Sequence, residues 1–347
     1  MKISVICPAE IAYRRFLPAL LKSNYFEFAG VGYHSTDEII YCNEGSKEQK
    51  LAISRDKALK IITKFGGKLY ESYNSVVNDT DVNCIYIPLP PRLHFDYAKK
   101  SLLNHKNVLI EKPATMRYRE MEELVDIAKS NNSVIHENYM FTYHSQLMTI
   151  QDIVKSGDIG EVRLYRISYG FPFRGENDFR YNKSLGGGAL LDAGVYTIKL
   201  STILLGNDCH IDSANLCYLD RFSADIYGQG VVINDKGISA QISFGIDNDY
   251  KCELEIWGSK GTLFTNRVFT APVGYAPIIT IRKNGVENKI ELNEDDSFYN
   301  SIEYFGKCIG DEIRRYNHYN ELLIQSRLVE EFYEKAKIHG KECDCRS

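Results

Sequence analysis

Through its first 137 residues the chain alternates short aliphatic runs with amphipathic stretches of about a dozen residues, and few folds accept that alternation. The strand candidates are residues 2–7, 26–33, 68–70, 83–88, 107–110 and 133–136. Between them lie helical patterns at 11–22, 52–65, 93–104 and 117–130 and a turn of helix at 72–77, while the polar stretch 34–49 reads as a surface insertion. Strands joined by helices of this length pair in parallel through right-handed crossovers. The expected fold class is therefore α/β, with a doubly wound parallel sheet. Val108-Leu109-Ile110 has no polar alternation, as befits a strand buried on both faces. Pro113 ends that ladder because it has no N–H to give. Glu111 and Lys112 are thus placed at the carboxyl end of a central strand, where open α/β sheets bind their ligands.

The second half has a different rhythm. Residues 141–156 read as a helix and 161–173 as a long alternating strand; Gly186-Gly187-Gly188 then leads into an apolar helix at 189–205. From 211 to 292 the pattern is strand and turn throughout, and helices at 297–309 and 320–338 close the chain. Strands in series without intervening helices predict an α+β domain with a large open, mostly antiparallel sheet. The expected division is 1–137 for dinucleotide binding and 138–347 for substrate binding and oligomerisation, with the closing helix placed to pack back on the first domain. The open sheet face needs a cover, and a symmetric partner is the economical one, which predicts a homodimer or homotetramer.

Composition matters here for what it excludes. A net charge of -4 without a long Lys/Arg block gives no footprint for nucleic acid. No uncharged apolar run reaches membrane-spanning length, since even 189–205 carries Asp192 and Lys199. The amino terminus enters a strand at once, so no signal peptide is expected. The 9 cysteines are odd in number and scattered, with Cys7, Cys84 and Cys217 inside apolar runs, which suits reduced thiols in the cytoplasm. Cys343-Asp344-Cys345 sits in a polar tail with no third ligand nearby, and the 8 histidines show no ligand spacing, so no metal is expected. His136 and His144 read as structural histidines.

A doubly wound domain predicts a Gly-x-Gly-x-x-Gly/Ala turn after its first strand. Here that turn is Cys7-Pro8-Ala9-Glu10-Ile11-Ala12, in which only Ala12 fits. The helix N-terminus behind it still offers a positive dipole to a pyrophosphate, and Arg14 and Arg15 add charge. At the tip of the second strand, Tyr33-His34-Ser35 carries neither the acid that signals NAD nor an arginine for NADP, and the absent acid tilts the expectation slightly toward NADP over NAD. Asp192 and Tyr196 are four apart on one helix, with the glycine triplet in front of them. Lys112 is expected to face them across an interdomain cleft. A phenol beside an ammonium is the better proton donor to an alkoxide, and Lys112 would stabilise the charge a reduced carbonyl develops.

Together, Glu111-Lys112-Pro113, Glu137-Asn138-Tyr139-Met140-Phe141, Gly157-Asp158-Ile159-Gly160-Glu161 and the stretch from Gly186 to Tyr196 resemble the Gfo/Idh/MocA oxidoreductase family. The resemblance implies an N-terminal Rossmann domain, a C-terminal domain with a large open sheet, and an NAD(P)-dependent dehydrogenase or reductase of sugars, polyols or dihydrodiols. It makes Lys112 the active-site lysine beside the nicotinamide, Asp192 the substrate-binding aspartate and Tyr196 the proton donor. It places Ala9, Glu10, Ile11, Pro88, Leu89, Pro90, His94, Glu111 and Asn138 around the cofactor. Tyr33 would lie against the adenine and His34 would donate to a 2′-phosphate. The stretch 171–188, with Asp178, Arg180 and Tyr181, is similar to nucleotide-sugar ketoreductases, and implies that Arg180 pairs with a substrate phosphate.

Two classes of function follow. One is an NAD(P)-dependent reductase of a nucleotide-linked keto sugar, with a free sugar, polyol or dihydrodiol as the alternative substrate. The other is a non-catalytic ligand-binding relative, motivated by the glycine-poor turn.

Overall fold

The computed structural model describes residues 1–39 and 46–340. Cys343-Asp344-Cys345 and part of the expected insertion lie outside the described residues. The chain forms two compact units: Met1–Asn138 with Phe298–Leu322, and Tyr139–Ser297 with the segment from Leu323 on.

The first unit runs β1 (Lys2–Val5), α1 (Leu17–Leu20, entered through a π-helical turn at Ala12–Phe16), β2 (Glu27–Gly32), α2 (Lys47–Phe65), β3 (Lys68–Tyr70), α3 (Tyr73–Asn78), β4 (Cys84–Ile87), α4 (Pro91–Leu103), β5 (Asn107–Ile110), α5 (Tyr118–Ser130) and β6 (Ile135–Glu137). Its sheet has the order β3-β2-β1-β4-β5-β6 with every pairing parallel, the doubly wound topology that the alternation predicts. Ile85, Ile87, Val108, Leu109 and Ile110 are wholly buried, as strands covered on both faces require. Helix α2 begins about a turn earlier than its apolar periodicity shows. Ser46 caps it, its hydroxyl accepting from the Gln49 N–H at 3.3 Å while Gln49 Oε1 accepts from the Ser46 N–H at 3.1 Å.

The second unit holds α6 (Gln146–Lys155), β7 (Val162–Gly170), α7 (Val195–Leu205) and seven consecutive strands: β8 (His210–Tyr218), β9 (Asp225–Ile233), β10 (Ser239–Gly245), β11 (Lys251–Gly258), β12 (Thr262–Thr265), β13 (Ile278–Lys283) and β14 (Val286–Glu291). The single helix expected at 141–156 is broken: Met140–Tyr143 is a 3₁₀ turn, and α6 starts after it. Two helices follow, α8 (Ser297–Gly310) and α9 (Glu312–Lys335), then β15 (Ala336–His339). The nine-stranded sheet has the order β14-β13-β12-β11-β7-β10-β9-β8-β15. It is antiparallel except at β7–β10 and β8–β15. Its inner face is apolar, with Ile167, Ile242, Phe244, Leu254 and Ile256 buried, and α7 packs there. The segment Lys183–Leu205 is long and apolar enough to cross a membrane, but 72% of its apolar 18-residue stretch is buried inside the protein, as in a core helix.

Two sequence expectations change at the carboxyl end. Helix α9 starts eight residues earlier than expected, where Asp311 Oδ1 accepts from the Arg314 N–H at 3.0 Å. Its first buried face is Arg315, His318, Tyr319 and Leu322, a helical spacing written in polar residues that hydropathy does not reveal. Residues 336–338, expected as helix, instead form β15, parallel to β8.

Candidate active site

In the first unit Lys112 stands just past the end of β5, half-buried, before a cis peptide bond to Pro113. The loop is pinned at Glu111, Pro113 and Ala114. Glu111 N–H donates to the Ile87 carbonyl at 3.1 Å. Glu111 Oε1 accepts from the Tyr86 hydroxyl at 2.6 Å and the Asn138 amide at 2.7 Å. Burial raises the Glu111 pKa, and these donors and the Lys112 charge oppose that rise. Glu137 Oε1 accepts from the Ala114 N–H at 2.8 Å. Wholly buried His94 on α4 stands between two carbonyl oxygens, Nδ1 2.7 Å from Pro113 and Nε2 2.6 Å from Leu89. Burial pulls its pKa down to about 4 and the Lys112 charge helps, against the pull of the two carbonyls. A neutral ring has one N–H to give, so His94 donates to one of these carbonyls and packs against the other, lying between the Pro88-Leu89-Pro90 loop after β4 and the loop that carries Lys112.

The glycine-poor turn is relaxed. Among the described non-glycine residues only His105, Asn132 and Asn284 have positive φ, so neither Cys7 nor Ala9 needs the freedom of glycine. The Cys7 thiol is bonded to Tyr73, and burial pushes its pKa up to about 11, keeping it neutral. Glu10 and Ile11 are exposed at the start of the helix that follows, and Ala9 is half-exposed. At the tip of β2, Tyr33 is buried, so the adenine contact expected of its ring is largely closed off. His34 Nε2 is buried without a hydrogen-bond partner among the described residues. Burial lowers the His34 pKa. An orphaned ring nitrogen beside a helix start, at the tip of β2, fits a dinucleotide with a phosphate on its second ribose.

In the second unit Asp192 lies in a π-helical segment, Leu190–Gly194, that leads into α7 and Tyr196. π-Helical turns often mark functional positions, and this chain has one here and one behind the cofactor turn. Arg180 Nε donates to Asp192 Oδ2 at 2.6 Å, and Arg180 Nη1 to Asp178 Oδ1 at 3.1 Å. Burial works against the guanidinium charge, but the two carboxylates outweigh it and raise its pKa. The guanidinium expected at a substrate phosphate is thus committed to two carboxylates. Tyr181 is buried too, its hydroxyl donating to the Ile246 carbonyl at 2.7 Å and accepting from the Arg174 N–H at 3.0 Å. Tyr196 sits among rings: Tyr139, Phe141, Tyr169 and Phe269 all have centroids 5.1–5.7 Å from its own.

The glycine triplet explains itself. A Cβ on Gly187 would lie 2.4 Å from the Phe179 carbonyl oxygen, and one on Gly188, at φ +130, would lie 2.3 Å from Asp225 Oδ1. Asp225 is the residue that sequence reading missed. It enters the site from the start of β9, wholly buried, and its Oδ2 accepts from the Leu190 N–H at 2.7 Å. It caps the segment that carries Asp192 and Tyr196, across 35 residues of sequence. Burial pushes its pKa up to about 6. Its one sequence signal is an acid at a strand position that should face the core.

The model of an oxidoreductase family with an NAD-binding Rossmann fold matches residues 26–139, and that of a GFO/IDH/MocA C-terminal domain matches 147–264. A dTDP-3,4-didehydro-2,6-dideoxy-alpha-D-glucose 3-reductase from Actinomadura kijaniata is 31% identical over 95% of this chain and 94% of its own. The like-named enzyme from Streptomyces violaceoruber is 32% identical over 97% and 96%. A crystal structure of a 3-ketoreductase from Actinomadura kijaniata with NADP and TDP-benzene superposes with a TM-score of 0.89, at 31% identity and 98% of both chains.

Proposed function

The chain belongs to the Gfo/Idh/MocA oxidoreductase family, and from that premise we propose that it reduces the carbonyl of a nucleotide-linked keto sugar with NADPH. The observation that carries this reading is a likeness to sugar 3-reductases that spans nearly the whole of both chains. The cofactor is assigned to residues 1–137, through the backbone of Ala9, Glu10 and Ile11 and the Pro88-Leu89-Pro90 loop, with Asn138 at the boundary contributing from the next residue. Residues 138–347 take the substrate. His34 Nε2 donates to the 2′-phosphate, which favours NADP over NAD.

When bound, the nicotinamide supplies a hydride to the carbonyl carbon. The Lys112 ammonium hydrogen-bonds the carbonyl oxygen and strengthens that bond as negative charge grows there. The Tyr196 hydroxyl gives its proton to the same oxygen: one O–H bond breaks and another forms, and water returns the proton to the phenolate. Asp192 accepts from a sugar hydroxyl. Arg180 and Tyr181 serve the substrate through Asp192, by fixing that carboxylate and bracing the loop in front of it.

The outer face of the large sheet carries Arg166, Ser168, Gln241, Ser243 and half-exposed Trp257, and a second copy of the chain is its proposed cover. Light scattering at micromolar concentration would read a dimer or tetramer, and a monomer would refute that cover. The free thiols of Cys7, Cys84, Cys209, Cys217, Cys252 and Cys308 support a cytoplasmic location.

The test is NADPH oxidation with a dTDP-linked 3-keto sugar. Turnover is expected, and Lys112→Ala and Tyr196→Phe should each lower kcat by about 10²- to 10⁴-fold. Failure to oxidise NADPH or NADH with any such sugar would refute the reading.

A further inference from the structure

Behind Lys112, within the first unit, runs a line of buried polar side chains that no motif marks. Glu111 Oε1 takes the Asn138 amide at 2.7 Å, and Asn138 Oδ1 takes the Ser301 hydroxyl at 2.8 Å. Ser301 Oγ lies 3.0 Å from His136 Nε2, and His136 Nδ1 lies 3.1 Å from His318 Nε2. Asn138, Ser301, His136 and His318 are all buried. They come from the end of β6, from α8 and from α9, up to 182 residues apart.

Chemistry orders this line without reference to hydrogen positions. A carboxylate accepts only, so the amide nitrogen of Asn138 must face Glu111 and its oxygen must face Ser301. Ser301 spends its proton on that oxygen and is left to accept from a protonated His136 Nε2. A neutral His136 then accepts at Nδ1, from a protonated His318 Nε2. Each donor points toward Glu111, the neighbour of Lys112, and a line polarised in one sense strengthens each bond in it. At the far end His318 Nδ1 is buried without a hydrogen-bond partner among the described residues, 3.7 Å from Glu321 Oε2. The amide at Asn138 makes the line a brace rather than a path for protons.

We propose that His136, Ser301 and His318 are positioning residues, which hold the Asn138 amide and the Glu111 carboxylate in the single orientation that hydride transfer beside Lys112 requires. The proposal rests on the reductase reading, in which Asn138 meets the nicotinamide side of the site. Helices α8 and α9 thereby act on the reaction without touching substrate or cofactor.

The test uses the full chain and the variants Ser301→Ala and His318→Leu. Ring ¹⁵N spectra of the natural protein should show His136 and His318 both as Nε2–H tautomers, and Ser301→Ala should lose that definition at His136. In Ser301→Ala, Kd for NADPH and KM for the keto sugar should stay within about twofold, while kcat falls about ten- to hundredfold and the isotope effect with 4-deuterated NADPH rises. His318→Leu should act in the same direction and more weakly. Either histidine in the other tautomer overturns the proposal, as does an unchanged kcat and isotope effect in a folded Ser301→Ala. A natural protein that oxidises no nicotinamide cofactor refutes the reductase reading instead, and the tautomers, which need neither activity nor a variant, then decide whether the line itself stands.

Discussion

The two units hold the side chains proposed to react by opposite means. The Lys112 loop is fixed by polar groups: Tyr86 and Asn138 donate to Glu111 Oε1, Glu137 accepts from the Ala114 N–H, and the His94 ring stands between the Pro113 and Leu89 carbonyl oxygens. Tyr196 is held by shape, in a ring of four aromatic side chains, and its helix is fastened by one buried carboxylate, Asp225. A polar clasp is directional and fails when one donor or one proton changes. An aromatic cage is indifferent to protons and fails when volume is lost. The lysine is thus placed by hydrogen bonds, while the phenol proposed as the proton donor is placed by contacts that its own ionisation would leave intact.

The sharpest break in this contrast is a loss of volume. Phe269 is buried edge-on to Phe141 and contacts both Tyr169 and Tyr196. Phe269→Ala should cost about 3–5 kcal/mol of stability, measured by urea unfolding, and should loosen Tyr196 with it.

Acidity separates the units next, with opposite signs. His94 falls from 6.5 to about 4 on folding, so its contribution is present above pH 6.5 and is lost as pH falls through about 4. Asp225 rises from 3.8 to about 6, so its contribution is present below pH 3.8 and is lost as pH rises through about 6. Each swing is about 3 kcal/mol. Between pH 4 and 6.5 acid should therefore weaken the first unit and strengthen the second. Hydrogen exchange resolved by segment at pH 5 and pH 7 would show protection of β4 and β5 moving one way and that of α7 the other. Asp225→Asn keeps an acceptor for the Leu190 N–H and should remove the change at α7 alone.

A smaller effect is expected where the two means meet. Arg180 is a polar clasp within the aromatic unit, forked between Asp192 and Asp178. Lysine cannot reproduce that fork, so Arg180→Lys should weaken kcat/KM by about tenfold, with the loss in KM if Asp192 serves binding.

What the sequence revealed follows the same division. The strand Asn107–Ile110, its stop at Pro113 and the placement of Lys112 depend on neighbouring residues, and are legible as an apolar run that ends in a residue without an N–H. The start of α9 was hidden because its buried face is Arg315, His318 and Tyr319, which look like surface. Asp225 was hidden because the N–H it caps lies 35 residues away. The brace through His136 was hidden for the same reason, since Ser301 and His318 lie 165 and 182 residues beyond it. His136 read as structural because a buried histidine shows its partners only once the chain has folded. Local patterning locates the reactive groups; what orients them is written in pairs too distant for any window to join.

The smallest predicted effect bears on the feature that most suggested a retired site. In the Cys7-Pro8-Ala9 turn a glycine would be required only if the backbone took a positive φ or if a side chain stood between it and a phosphate. Neither Cys7 nor Ala9 has positive φ, and the Cys7 side chain is bonded to buried Tyr73. Cys7→Gly should therefore change Kd for NADPH by less than about threefold, a difference below about 0.7 kcal/mol, as read by cofactor fluorescence. It should also lower thermal stability slightly, because glycine adds freedom to the unfolded chain and leaves Tyr73 without its partner. A gain in affinity of tenfold or more would show that the thiol obstructs the phosphate path, and would move the weak point of the molecule from its remote braces to this turn.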